Sequence, residues 1–143
     1  MLTKPYENYE KPGLVVNYRL AAVKIYKGAL CTLGSDGYLR PLDPATASLK
    51  FIGIAGETTD NSAGAAGARG TNVTKTGTFV FAADGFTPAM GDLGKTVVAS
   101  SDWQVRLSAS GLANSYSVGT IVGIETTDGG VNGVRVRIDN FLV

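Results

Sequence analysis

A short passage that occurs twice constrains this chain more than any other feature. Ile52-Gly53-Ile54-Ala55-Gly56-Glu57-Thr58-Thr59-Asp60 returns, shortened, as Val122-Gly123-Ile124-Glu125-Thr126-Thr127-Asp128. Each copy is an apolar run, then a carboxylate, two threonines and an aspartate, with glycine-rich sequence after it. Alternating β-branched residues and glycines suit a strand, and the aspartate with its glycines suits the turn that follows. Other pieces repeat in the same order. Cys31-Thr32-Leu33 and Asp36-Gly37-Tyr38-Leu39-Arg40 precede the first copy; Val97-Val98-Ala99 and Asp102-Trp103-Gln104-Val105-Arg106 precede the second. The expectation is an all-β domain, a small barrel or sandwich, built from two related halves.

Local signals divide the chain. Residues 1–19 read as an extended N-terminal arm and 20–143 as the β-rich domain. Met1 to Gly13 holds Pro5, Pro12, Tyr6, Tyr9 and several charges, with no period of 2 or 3.6. Beyond it, strands are expected at Ala21–Ile25, Ala29–Leu33, Tyr38–Arg40 and Phe51–Thr58. Gly34-Ser35-Asp36-Gly37 makes a strong hairpin turn. Asp43-Pro44-Ala45 and Thr87-Pro88-Ala89 suggest single helical turns capped by Asp43 and Thr87. Asp60–Gly70, rich in glycine and alanine, reads as a flexible loop. Asn72–Phe81 reads as the longest strand, with a bulge at Gly77. Lys95–Ala99, Val105–Leu107, Ser117–Glu125 and Val131–Ile138 supply the remaining strands. In the last of these Val134, Val136 and Ile138 alternate with Arg135 and Arg137, so one face is buried. Many short strands between turns favour a barrel or sandwich.

The 143 residues suffice for one hydrophobic core. Charged residues make up 17%, against about 25% usually, so part of the surface is expected to be covered by a partner. Net charge is +1 without a basic run, which argues against nucleic-acid binding by counterion release. The N-terminal residues lack the apolar core of a signal peptide, and no apolar run is long enough to span a bilayer as a helix. The single Cys31 cannot form an internal disulfide and reads as a small buried hydrophobe.

Histidine is absent, which removes the commonest general base and the ordinary zinc sites. Gly64–Gly70 lacks the Gly-Lys-Ser/Thr of a phosphate loop. Glu57, Asp60, Glu125 and Asp128 occupy matching places in the two copies. They read as solvated strand ends and Asx turns, although paired carboxylates also serve glycoside hydrolysis or calcium binding. Trp103 reads as half-buried core or interface, with a sugar platform as the alternative.

Several of these pieces, in order, resemble the capsid cement or head decoration proteins of tailed bacteriophages. They are Lys27-Gly28-Ala29-Leu30, Asp36-Gly37-Tyr38-Leu39-Arg40-Pro41, Phe51-Ile52-Gly53-Ile54-Ala55, and the strand from Gly70 to Phe81. Gly91-Asp92-Leu93-Gly94-Lys95-Thr96-Val97-Val98 and Tyr116 to Glu125, with Gly119 and Gly123, complete the series. The resemblance covers about residues 20 to 138; the N-terminal stretch departs from it. It implies a β-tulip-like, non-enzymatic virion protein, made in the host cytoplasm and placed on the outer capsid surface. Its partners would be the major capsid protein and two further copies in a homotrimer, with no cofactor, metal, nucleic acid or membrane. Expected contact residues are Tyr6, Tyr9, Leu14 and Tyr18 in the arm, and Phe86 and Trp103 as anchors between subunits, because aromatics dominate interface energetics. The alternatives are a carbohydrate-binding or host-attachment module, a tail or baseplate component, and a small carboxylate hydrolase.

Overall fold

Alternation and turn chemistry are satisfied by an all-β structure with twelve strands among the described residues. The structure is a computed structural model describing residues 14–127 and 129–139. The first half carries β1 (Val15–Arg19), β2 (Lys24–Ile25), β3 (Leu30–Leu33), β4 (Leu39–Pro41), β5 (Lys50–Ala55), β6 (Thr59–Asp60) and β7 (Gly70–Thr74). The second carries β8 (Thr76–Ala83), β9 (Thr96–Ala99), β10 (Gln104–Arg106), β11 (Ser117–Thr126) and β12 (Asn132–Asp139). Lys75, buried, hands the chain from one half to the other.

The two halves repeat one another strand for strand. The first sheet runs β1-β7-β5-β3-β4; the second runs β8-β12-β11-β9-β10 and closes into a barrel through a parallel contact between β10 and β8. Registers agree as well as order. Leu33 faces Leu39 and Thr32 faces Arg40 in one half; Ala99 faces Val105 and Val98 faces Arg106 in the other. Ala55 faces Val73, as Ile121 faces Val136. Val73 faces Val16, as Val136 faces Phe79. Even the closure is echoed: a parallel bridge joins Leu20 to Leu39 where Ala83 meets Val105. The Ala21 amide donates to the Leu39 carbonyl at 2.9 Å, and the Asp84 amide to the Val105 carbonyl at 2.9 Å.

Packing follows from this register. Cys31, Leu39, Ile52, Ala55 and Val73 fill the first half, and Val97, Val105, Val118, Ile121 and Val136 take the matching places in the second. Leu30, Leu42 and Ile54 of the first half join the barrel's cluster, so the larger of two apolar clusters draws on both halves. Burying such side chains contributes roughly 1.5–3 kcal/mol each before entropy is counted.

The repeated passage is real, but its structural register differs from its sequence register. Pairing sets Gly53 against Gly119, not Gly123: Cys31 faces Gly53 and Val97 faces Gly119, each beside a bulge that displaces Ile52 or Val118. The cause lies in β11, where Val118-Gly119-Thr120-Ile121 is followed by Val122-Gly123-Ile124, so the pattern fits itself after a slip of one tetrad. Both structural glycines are sterically required. A Cβ on Gly53 would lie 2.3 Å from the Thr74 carbonyl oxygen, and one on Gly119 would lie 2.0 Å from that of Arg137.

Other expectations are revised. The expected long strand is divided at Lys75 into β7 and β8, and the β8–β12 ladder runs through Gly77 without a bulge. Residues 15–19, assigned to the arm, form β1 and pair along their length with β7; Met1 to Gly13 lies outside the described residues. The 61–69 segment is pinned rather than loose. Asn61, 2% exposed, donates from Nδ2 to the carbonyls of Ala21 and Ala65 at 3.0 Å each. Asp43 makes an Asx turn, accepting from the Ala45 amide at 2.9 Å, and no helix follows. The second proline turn yields one 3-10 turn at Met90–Asp92, in which Asp92 rather than Thr87 accepts the Ala89 amide at 2.9 Å.

Candidate functional site

The most distinctive surface feature is an apolar groove of about 430 Å³ on the barrel, where it meets the first half. Alternation along β8 builds its floor: Phe79 and Phe81 turn toward the core and Val80 turns out, 43% exposed. Trp103, 54% exposed, stands on the turn between β9 and β10. Ser101 shapes that turn, its Oγ accepting the amides of Trp103 at 3.3 Å and Gln104 at 3.1 Å. Val131, at the foot of β12, and Gly28, from the first half, close the sides. Thr126 and Thr127 supply the hydroxyls; Thr127 Oγ1 accepts from the Val131 amide at 3.2 Å. Among the described residues that line the groove, none is ionisable; Asp128, between Thr127 and Gly129, lies outside the described residues.

The first half shows that this apolar surface is not demanded by the fold. The matched registers place Asn17 where the barrel has Val80, Arg19 where it has Ala82, and Gly37 where it has Trp103. Asn17 there donates from Nδ2 to Asn72 Oδ1 at 3.0 Å, an exposed polar pair. The same scaffold therefore carries a polar face in one half and an apolar one in the other. A second apolar stretch lies at the 3-10 turn, where Met90 and Leu93 are exposed. The Gly94 amide donates to the Ile121 carbonyl at 2.9 Å and brings this turn beside exposed Val122.

The expected contact residues are scattered. Trp103 is on the groove. Phe86 is half-buried against the barrel core and lines a separate concavity with Asp84 and Arg106. Leu14 is 65% exposed at the start of β1. Tyr18, half-buried, packs against the first core, and its hydroxyl accepts from the buried Lys75 Nζ at 3.0 Å. Tyr6 and Tyr9 lie outside the described residues. Val80 and Val131 were not singled out in the sequence; the signal for Val80 was its outward place between Phe79 and Phe81.

The carboxylates take structural partners. Glu57 accepts the Asn72 amide at 3.1 Å, and Glu125 pairs with Arg135 at 3.6 Å. Asp60 is held below the ordinary carboxylate range by the Ser62 hydroxyl and amide. Asp84 is held low by the Arg106 guanidinium, which donates through Nε at 3.0 Å and also through Nη2. Lys95 does the same for Asp92. Asp128 lies outside the described residues. Among the described residues no three His, Cys, Asp or Glu gather closely enough to hold a metal ion. Burial pushes the Cys31 thiol up to about 12 and leaves it unsuited to nucleophilic work at neutral pH. Among the described residues no helix is long and apolar enough to cross a membrane.

Comparison of the chain with protein-family models, with curated proteins and with solved structures found no match.

Proposed function

We propose that this chain is a structural virion protein, a capsid decoration or cement protein that binds the outer surface of a tailed-phage head and bridges neighbouring major capsid proteins. The observation that carries this reading is the Trp103–Val80–Val131 groove. It is apolar at positions where the sister half is polar, and none of its described lining residues is ionisable. The ordered motifs that resemble decoration proteins support it, and they fall on paired strands and their turns. Covering the exposed 54% of Trp103 alone would contribute about 3 kcal/mol, taking an aromatic side-chain area of about 250 Å² at about 25 cal/mol per Å². A full bridge needs on the order of 800 Å² per partner, so the groove would be the anchor of a larger footprint. Many such bridges acting together resist the outward pressure of packaged DNA, although each is modest.

The test is co-sedimentation with expanded, emptied heads built from the major capsid protein of the phage that encodes the chain. Saturable binding, weakened by Trp103→Ala, supports the reading; a chain left in the supernatant at saturating concentrations refutes it. A second reading is favoured by Trp103 standing beside Thr126 and Thr127, the elements of a sugar platform. A glycan array separates the two, since a cement protein should be silent there.

A further inference from the structure

The groove has a neighbour that suggests what fills it. Strand β8 pairs with β12 along Thr76–Ala82, but on its other edge it meets β10 only at Ala82 and Ala83. Among the described residues no strand pairs with that second edge from Thr76 to Val80, so it is open to an added strand. One end of this edge reaches the Trp103 groove, which Val80, Phe81 and Ala82 help to line. The other end lies where the chain enters β1: the Leu14 carbonyl accepts the Lys75 amide at 2.8 Å, next to Thr76.

Resting on the self-association that the resemblance to decoration proteins implies, we infer that residues 1–13 of one copy lie along the open edge of β8 in the next copy and seat an aromatic side chain in its Trp103 groove. Three properties select this segment. Thirteen residues reach at most about 43 Å when extended, ample for a strand beside Thr76–Val80 and a step onto the groove. The segment carries Tyr6 and Tyr9 together with Pro5 and Pro12, rings that stack on an indole face. Its charges, Lys4 and Lys11 against Glu7 and Glu10, cancel, which suits a groove whose described lining is Val80, Phe81, Ala82, Trp103 and Val131 with two threonines and glycines. One arm and one groove per copy make a head-to-tail contact, and such contacts generate closed rings when the rotation allows. Main-chain bonds along the edge would supply affinity, and the aromatic pocket the register.

The experiment uses the full chain in the absence of heads, so its failure leaves head binding to be judged separately. Trp103 is the sole tryptophan, and its emission reports on the groove. Sedimentation mass and emission are measured for the wild type, for Trp103→Ala by mass alone, and for a Tyr6→Ala/Tyr9→Ala variant, with urea unfolding of each variant checked against wild type. Expected are an associated wild type with blue-shifted emission, at least about tenfold weaker association in both variants, and dissociation of the wild type by an excess of a synthetic peptide of residues 1–13. A wild type that is monomeric, whatever its emission, overturns the inference. So does association that the tyrosine variant and the peptide leave unchanged.

Discussion

Replacing Gly53 with alanine should be among the most damaging single-methyl changes this chain can suffer. The new Cβ would lie 2.3 Å from the Thr74 carbonyl oxygen, where ordinary contacts begin near 3.4 Å. Strand β5 or β7 must therefore move by about 1 Å, enough to weaken one or two ladder hydrogen bonds at about 1 kcal/mol each. Gly53 also has φ of 149°, which costs an L-residue roughly 1–2 kcal/mol more. Strain at the neighbouring Val73 side chain, 2.8 Å from the new atom, adds about 1 kcal/mol. The total is about 3–5 kcal/mol, a large share of the 5–15 kcal/mol typical of a domain. Gly28→Ala is the control: φ is 87° but nothing lies within 4 Å of its Cβ, so only the backbone cost of about 1–2 kcal/mol remains. Urea unfolding at fixed m should place the Gly53→Ala midpoint at least about 1 M below wild type, and clearly below Gly28→Ala. Gly119→Ala should match Gly53→Ala, although Gly119 is not at positive φ, because the Arg137 carbonyl blocks it. If Gly53→Ala and Gly28→Ala unfold together, the matched-bulge account of the two halves is refuted.

Cys31 should resist a thiol reagent at pH 8 in the folded protein and react at once in urea. Its thiol rises from 9.0 to about 12 on folding, so its contribution to stability is complete below pH 9. It should then be lost as pH climbs toward 12, at roughly 1.4 kcal/mol per unit; Cys31→Ala should remove that component of the alkaline slope. Asp36, Asp60, Asp84 and Asp92 are all held below their ordinary value, so their contributions are present above about pH 4 and fade as pH falls through the folded values. Acid unfolding of Asp84→Asn should accordingly be less steep than that of wild type. Asn61→Ala should cost about 2–3 kcal/mol in the same urea assay, because it strips two hydrogen bonds, one of them from the buried Ala21 carbonyl. Trp103→Ala should change stability by less than about 1 kcal/mol, since the ring is largely outside the core, while weakening head binding at least about tenfold.

Local signals carried much of the architecture. The Gly34–Gly37 turn, the alternation of Val134, Val136 and Ile138, and the matched Leu39 and Val105 pieces each describe a hairpin or a face, and each appears where the residues put it. What stayed hidden depended on partners distant in sequence. A tetrad that repeats within β11 cannot reveal which of its glycines meets a carbonyl across the sheet; only the position of Arg137 decides it. Nor does Asp60–Gly70, by composition a loose loop, disclose that the Asn61 side chain is buried beneath it. Tyr18 looked like an arm residue because its partner, Lys75, lies 57 positions away. The groove was legible only in part: an exposed tryptophan is visible as a type of residue, whereas its neighbours Val80 and Gly28 are assembled by the barrel seam.

The proposal that this chain serves as a clamp on a phage shell is tested most directly by mixing purified protein with expanded heads and imaging the pelleted particles. The account predicts added density on the outer surface, at repeated symmetry-related positions bridging adjacent capsid subunits, with heads that withstand heating better than bare ones. Particles that pellet bare, with the protein left entirely in solution, would contradict it.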